Sequence, residues 1–235
     1  MRASQWLMYS TVLVLAAVPA MGDVTATAGL VSGDCLTTAT GSSFASASMS
    51  CNVEGVQFSS QAVGQTGLGP YGIGVSVSVH PNGIDWYTLE AAFANVSFTW
   101  RQDFTIEGAN GDGFMNVGFY DDFGDFPDMI GFSFFGQDVP IVTGGWTFPV
   151  PVTFGAPGII MFQGQGHCNS MDFEGCGSME SYVSDLTFTD SDGNPLAGAH
   201  LVAVPEISSV ALLGTLVLPV LIGVRKFRTQ RLRCG

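Results

Sequence analysis

Hydrophobic and polar positions alternate along much of this chain. In YGIGVSVSVH, residues 71–80, Ile73, Val75, Val77 and Val79 share one face, and Gly74, Ser76, Ser78 and His80 the other. A period of two residues predicts a half-buried strand. The same reading gives a long strand over FANVSFTW (93–100) running on into RQDFTIEG, with a bend near Arg101. Further strands are expected over 114–121, 129–136, 158–164, 181–190 and 196–204. Gly, Asn, Asp and Pro punctuate them at PNG (81–83), GANGDG (108–113) and DSDGNP (190–195), residue types that supply turn geometry. Only DWYTLEAAFA, residues 85–94, has room for a short helix, and its Trp86, Tyr87 and Phe93 suit a strand equally. Some ten strands without a βαβ rhythm predict an all-β fold, an antiparallel β-sandwich of jelly-roll kind.

Composition agrees. The chain has 235 residues, 31 of them Gly, with 46% hydrophobic and only 11% charged residues. That is too apolar for a disordered chain and enough for one β domain with its own core. Charge is distributed unevenly. All 20 acidic residues lie between Asp23 and Glu206, a span whose one basic residue is Arg101. Such a surface repels phosphate backbones and argues against nucleic acid as a partner. It leaves cations and neutral polar molecules.

The two ends differ from the body. Residues 1–22, MRASQWLMYSTVLVLAAVPAMG, have a basic Arg2, an apolar stretch and small Ala20 and Gly22 at signal-peptidase spacing. They read as a signal peptide cleaved before Asp23. Residues 207–224 carry no charge, and as a helix would span about 27 Å, close to a bilayer core. Pro219 predicts a kink in that helix. Arg225, Lys226, Arg228, Arg231 and Arg233 follow at once, within the basic tail 225–235. Positive charge stays cytoplasmic, which places the body (23–203) outside.

The order Val204, Pro205, Glu206, then a minimal apolar span, then a basic tail, resembles the PEP-CTERM sorting signal of Gram-negative bacteria. The resemblance covers residues 204–235, and Ile207 stands where that family has its second Pro. It implies recognition by an exosortase-type processing enzyme. It also implies an inner-membrane-tethered intermediate and release to the cell surface or beyond, often where exopolysaccharide is made. The tail is an address and does not define an activity.

An exported chain oxidises its cysteines. Cys35 and Cys51 are 16 positions apart, Cys168 and Cys176 are 8 apart, and local pairing within each set is the simplest connectivity. Cys234 lies beyond the apolar span. His167, Cys168 and Cys176, with Asp172 or Glu174, offer zinc ligand types. Adjacent His and Cys suit one tetrahedral centre poorly, and a disulfide hairpin is favoured.

Candidate sites are few. Asp112, Asp121, Asp122, Asp125 and Asp128 gather in one acidic region where oxygen ligands for Ca²⁺ could meet. Their spacing is not that of a calcium loop, so two acidic turns and no cofactor are expected. DSDGNP starts like an EF-hand at Asp190, Asp192 and Asn194, but Gly193 falls two positions early and no Glu closes the loop. A hairpin turn is expected there. Trp86, Tyr87, Trp100, Tyr120, Trp146 and Tyr182 could stack on sugars, although core burial is the commoner fate of such rings. Arg101 is expected to pair with a local carboxylate such as Asp103 or Asp185. Asp172, Glu174 and Glu180 are near one another in sequence, as a glycosidase pair requires in space. No G-x-S-x-G, H-E-x-x-H or phosphate-loop motif occurs. The expectation is therefore a structural or adhesive protein of the cell envelope or extracellular matrix, not an enzyme. The alternatives are a carbohydrate-binding module acting on exopolysaccharide and, weaker, a glycoside hydrolase.

Overall fold

A computed structural model describes residues 21–122, 130–139, 146–171 and 176–204. The strands, in chain order, are β1 (Met21–Leu30), β2 (Thr37–Gly41), β3 (Phe44–Val53), β4 (Val56–Thr66) and β5 (Gly74–Asn82). Then come β6 (Ile84–Asp85), β7 (Glu90–Glu107), β8 (Asp112–Asp122), β9 (Ile130–Phe134) and β10 (Gln137–Val139). The last are β11 (Trp146–Thr153), β12 (Pro157–Asn169), β13 (Gly177–Asp190) and β14 (His200–Ala203). No helix occurs among the described residues. The protein is all-β.

The strands form two antiparallel sheets. The first runs β10-β9-β12-β7-β1-β2, with β14 and β6 also paired to β7. The second runs β11-β8-β13-β5-β4-β3. From β7 onward the chain alternates between them: β8, β11 and β13 lie in the second sheet, β7, β9, β10, β12 and β14 in the first. The inner faces enclose one core within the compact unit Ala20–Val204, giving a sandwich-like body.

That core has two zones. One is made of small residues, with Ala26, Ala28, Ala92 and Ala94 of the first sheet opposing Ala45, Ala47 and Ala62 of the second. The other is aromatic. Trp100 stacks on Phe162 at 4.8 Å between ring centres, and Phe119 meets Phe132 and Phe134 edge-on. Aromatic pairs in offset or edge geometry add stability beyond the area they bury.

Several sequence expectations shift. The strand expected over 71–80 begins at Gly74, because residues 67–72 turn on positive-φ glycines 67, 69 and 72. No helix forms over 85–94: Asp85 accepts from Tyr87 N and Thr88 Oγ1, tying a turn, and β7 follows from Glu90. β7 runs through Arg101 as one strand of 18 residues. The strand expected over 196–204 is confined to β14. DSDGNP is a turn: Asp190 Oδ1 accepts from the amides of Asp192 and Asn194, and Gly193 takes φ +84°. Both disulfides expected from spacing are formed, Cys35–Cys51 and Cys168–Cys176, with Cα–Cα distances of 6.5 and 5.1 Å. They suit an oxidising compartment outside the cytoplasm.

The apolar span 207–224, the basic residues Arg225 to Arg233, Pro205 and Glu206 lie outside the described residues. So do residues 1–20 of the signal-peptide reading. Its last two positions, Met21 and Gly22, open β1 opposite Arg101 and Trp100.

Candidate ligand groove on the outer face of the first sheet

The carboxylates proposed for calcium do not share a face. Asp121 follows Met115, Val117 and Phe119 on the inner side of β8, where it is half-buried and accepts a hydrogen bond from the fully buried Ser181 hydroxyl. Burial raises its pKa above the usual 3.8, and the Ser181 hydrogen bond partly opposes that. The next residue, Asp122, points outward opposite Glu180. Asp125 and Asp128 lie outside the described residues. Among the described residues no three His, Cys, Asp or Glu side chains converge as metal ligands.

The aromatic candidates also separate. Trp100 is core, and Trp146 stacks on Phe119. Tyr120 and Tyr182 stack on each other on the outer face of the second sheet, 4.9 Å between ring centres. Trp86 and Tyr87 stand exposed in the turn before β7, and Tyr87 is fully so. Asp172 and Glu174 of the glycosidase reading are outside the described residues, and Glu180 faces outward. His80 and His200 are exposed on different sheets.

What the fold does assemble is a polar face. The buried Ala94, Val96, Phe98 and Trp100 of β7 alternate with outward Phe93, Asn95, Ser97, Thr99 and Arg101. Antiparallel register continues each outward position sideways into its neighbours. Thr27, Asn95 and His167 form one cross-strand rung; Thr25, Ser97 and Gln165 form the next; Asp23, Thr99, Gln163 and Gly131 form the third. Thr38 and Thr40 of β2 extend the first two.

Three shallow hollows follow one another along this face. The central one, about 560 Å³, is lined by Asp23, Thr25, Ser97, Thr99, Gln163 and Gln165, with Gly131 open at its side. At one end lies a hollow of about 300 Å³ bounded by Val31, Phe93, His167 and Asn169. At the other, one of about 500 Å³ is bounded by Arg101, Ser133, Met161, Ile159 and Phe135. Arg101 sits there with its guanidinium 3.6 Å from the Asp103 carboxylate, the pairing its sequence position suggested. No known family model matches the chain, nor does any curated protein or solved structure.

The chemistry of the groove is mainly that of neutral hydrogen bonding, with the Asp23 carboxylate in the central hollow and Arg101 at one end. Ser and Thr hydroxyls donate and accept, and Gln and Asn amides do both at separate atoms. Gly131 leaves open space beside Gln163, because a Cβ there would meet nothing within 4 Å. Reading single residues could not find this site. Thr25, Ser97 and Gln165 are ordinary outward positions, and only strand pairing aligns them.

Proposed function

We propose that this chain is an exported adhesive or structural protein of the cell envelope or matrix, whose groove holds a neutral polysaccharide. The observation that carries the reading is the three-rung row on the first sheet, in which hydroxyl and amide groups outnumber the single carboxylate of Asp23, within an otherwise acidic body. A hydroxyl-rich polymer matches such groups one for one. An anionic polymer is repelled by the body, and the one basic side chain there is already engaged by Asp103. Phe93 and Phe135 at the two ends offer apolar surface to sugar faces. The alternation of the chain between sheets supports a jelly-roll kind of sandwich.

Export and sorting belong to the same proposal. Two disulfides support an oxidising destination, and the tail that resembles a PEP-CTERM signal supports an exosortase-type enzyme as the processing partner. The membrane then holds the chain only before processing.

Affinity electrophoresis through gels containing neutral or uronic-acid polysaccharides tests the groove. Retardation by a neutral polymer, lost in Gly131→Leu and in Ser97→Ala/Gln165→Ala, is the expected result. The leucine side chain of the first variant fills open space, so loss of binding with an unchanged melting temperature reports blockage and not unfolding. Retardation by uronic-acid polymers alone would overturn the reading.

A further inference from the structure

The two flanks of the sandwich are built differently. One flank is formed by the edge strands β10 and β11, the other by β2 and β3. An open strand edge presents unpaired backbone N–H and C=O groups, and proteins usually blunt it with prolines, charges or short length. The β10/β11 flank is blunted in all three ways. β10 has three residues and carries Asp138, and β11, WTFPVPVT, holds Pro149 and Pro151. A proline fits an edge where its missing N–H would have faced away from the sheet, so the pair deletes two outward donors.

The β2/β3 flank has none of these guards. Residues 36–53, LTTATGSSFASASMSCNV, contain no charge and no proline in a body with 20 acidic residues. β3 is ten residues long and pairs only on its β4 side among the described residues. Cys51, bonded to Cys35, ties the preceding loop to one end of β3, which leaves Phe44–Ser50 as the open stretch. Its sheet-face side chains are small or apolar: Ser46 and Ser48 outward, Ala45 and Ala47 inward, with Phe44 exposed at the start.

We propose that β3 is a homotypic assembly edge, adding antiparallel to β3 of a second copy and joining the two six-stranded sheets. A second copy is the fitting occupant for two reasons. The edge accepts a strand as its partner, since another extended backbone matches its whole row of donors and acceptors at once. Two such acidic bodies repel each other where their carboxylates meet, and this flank brings none of its own to the contact. Antiparallel pairing over Phe44–Ser50 sets Ser46 opposite Ser48 of the second copy and Ala47 opposite its own counterpart, with no side-chain charge between them. The contact is small. Seven residues at about 3.4 Å each and two sheets about 10 Å apart give roughly 240 Å² per partner, at the small end of weak, transient interfaces. A weak contact suits a surface-displayed protein, where many copies act together.

Sedimentation equilibrium tests this on residues 20–204, which hold the whole described core and both disulfides, and on the full chain in detergent. Wild type is expected to dimerise in the tens to hundreds of micromolar. Ser46→Glu/Ser48→Glu, which sets carboxylates directly opposite one another, is expected to weaken association at least tenfold. A carboxylate on the other flank, Thr147→Glu, is expected to leave it unchanged. Intact disulfides and an unchanged melting temperature establish that the β3 variant is folded. A wild type that stays monomeric at about 1 mM, or a dimer that survives the β3 charges, would overturn the proposal. Neither outcome bears on polysaccharide binding, which uses a different face.

Discussion

Gly64 of β4 and Val96 of β7 meet across the two sheets so closely that a Cβ on Gly64 would lie 2.5 Å from Val96 Cγ1. It would also lie 2.6 Å from Val24 Cγ1. This contact marks where the small-residue zone of the core lets the sheets approach. Glycine is normally a liability inside a strand, and Gly→Ala elsewhere in a sheet gains up to about 1 kcal/mol. Here Gly64→Ala is expected to destabilise by about 1–3 kcal/mol, because the added methyl overpacks two branched side chains. Denaturant unfolding of G64A and of G64A/V96A checks it. The double variant should recover part of the loss, and a stabilised G64A would contradict the contact.

Asp121 ties stability to pH. Its pKa is raised in the folded protein, chiefly by burial, so the folded state binds its proton more tightly than the unfolded state does. Stability from this group therefore falls as pH rises from the usual carboxylate value of 3.8 through the raised one, and its ionised form weighs against folding above that. Asp121→Asn keeps an oxygen for the Ser181 hydroxyl and removes the charge. Melting temperatures across pH 3–8 should show the variant at least as stable as wild type near neutrality, with the gap closing in acid. Parallel profiles would contradict this account.

The two disulfides close loops of different length, 16 and 8 residues. Loop-closure entropy assigns about 3 kcal/mol to a loop of the longer kind and somewhat less to the shorter. Cys35→Ser/Cys51→Ser is thus expected to cost slightly more than Cys168→Ser/Cys176→Ser. Chemical denaturation measures both, and non-reducing peptide mapping should recover the same pairs. Crossed pairs would contradict the connectivity. The longer bridge also anchors one end of β3, so its loss should alter self-association and the shorter one should not.

The folded body reaches the first residue of the proposed sorting motif directly. Val204 N donates to Asp103 O at 2.8 Å, extending the β14–β7 pairing to the first residue of Val-Pro-Glu. If the tail is a sorting signal, mass spectrometry of the surface protein should find a C-terminus near Glu206 and an N-terminus near Asp23. Recovery of Cys234 in the surface-located form would show a permanent anchor instead.

The alternation of Val75, Val77 and Val79 with Ser76, Ser78 and His80 announced a strand, because burying one face needs only neighbours two residues apart. Cysteine spacing announced both disulfides, since short separations make local closure the cheapest. The inward aim of Asp121 went unread, since the sequence set it among acidic-turn candidates for calcium, although it is in phase with Val117 and Phe119. β3 was not legible: in FASASMSCNV the alternation is between Ala and Ser, whose sizes and hydropathies differ too little to mark a buried face. Nor was the groove. Thr25, Ser97 and Gln165 are far apart in the chain and meet only because β1 and β12 flank β7 in one register. Local sequence sets which residues face out of each strand, while strand order and register follow from how the whole core packs. A one-residue slip would turn every rung to the other face. The face toward solvent was thus written in the sequence, and the site upon it was decided by the tertiary structure.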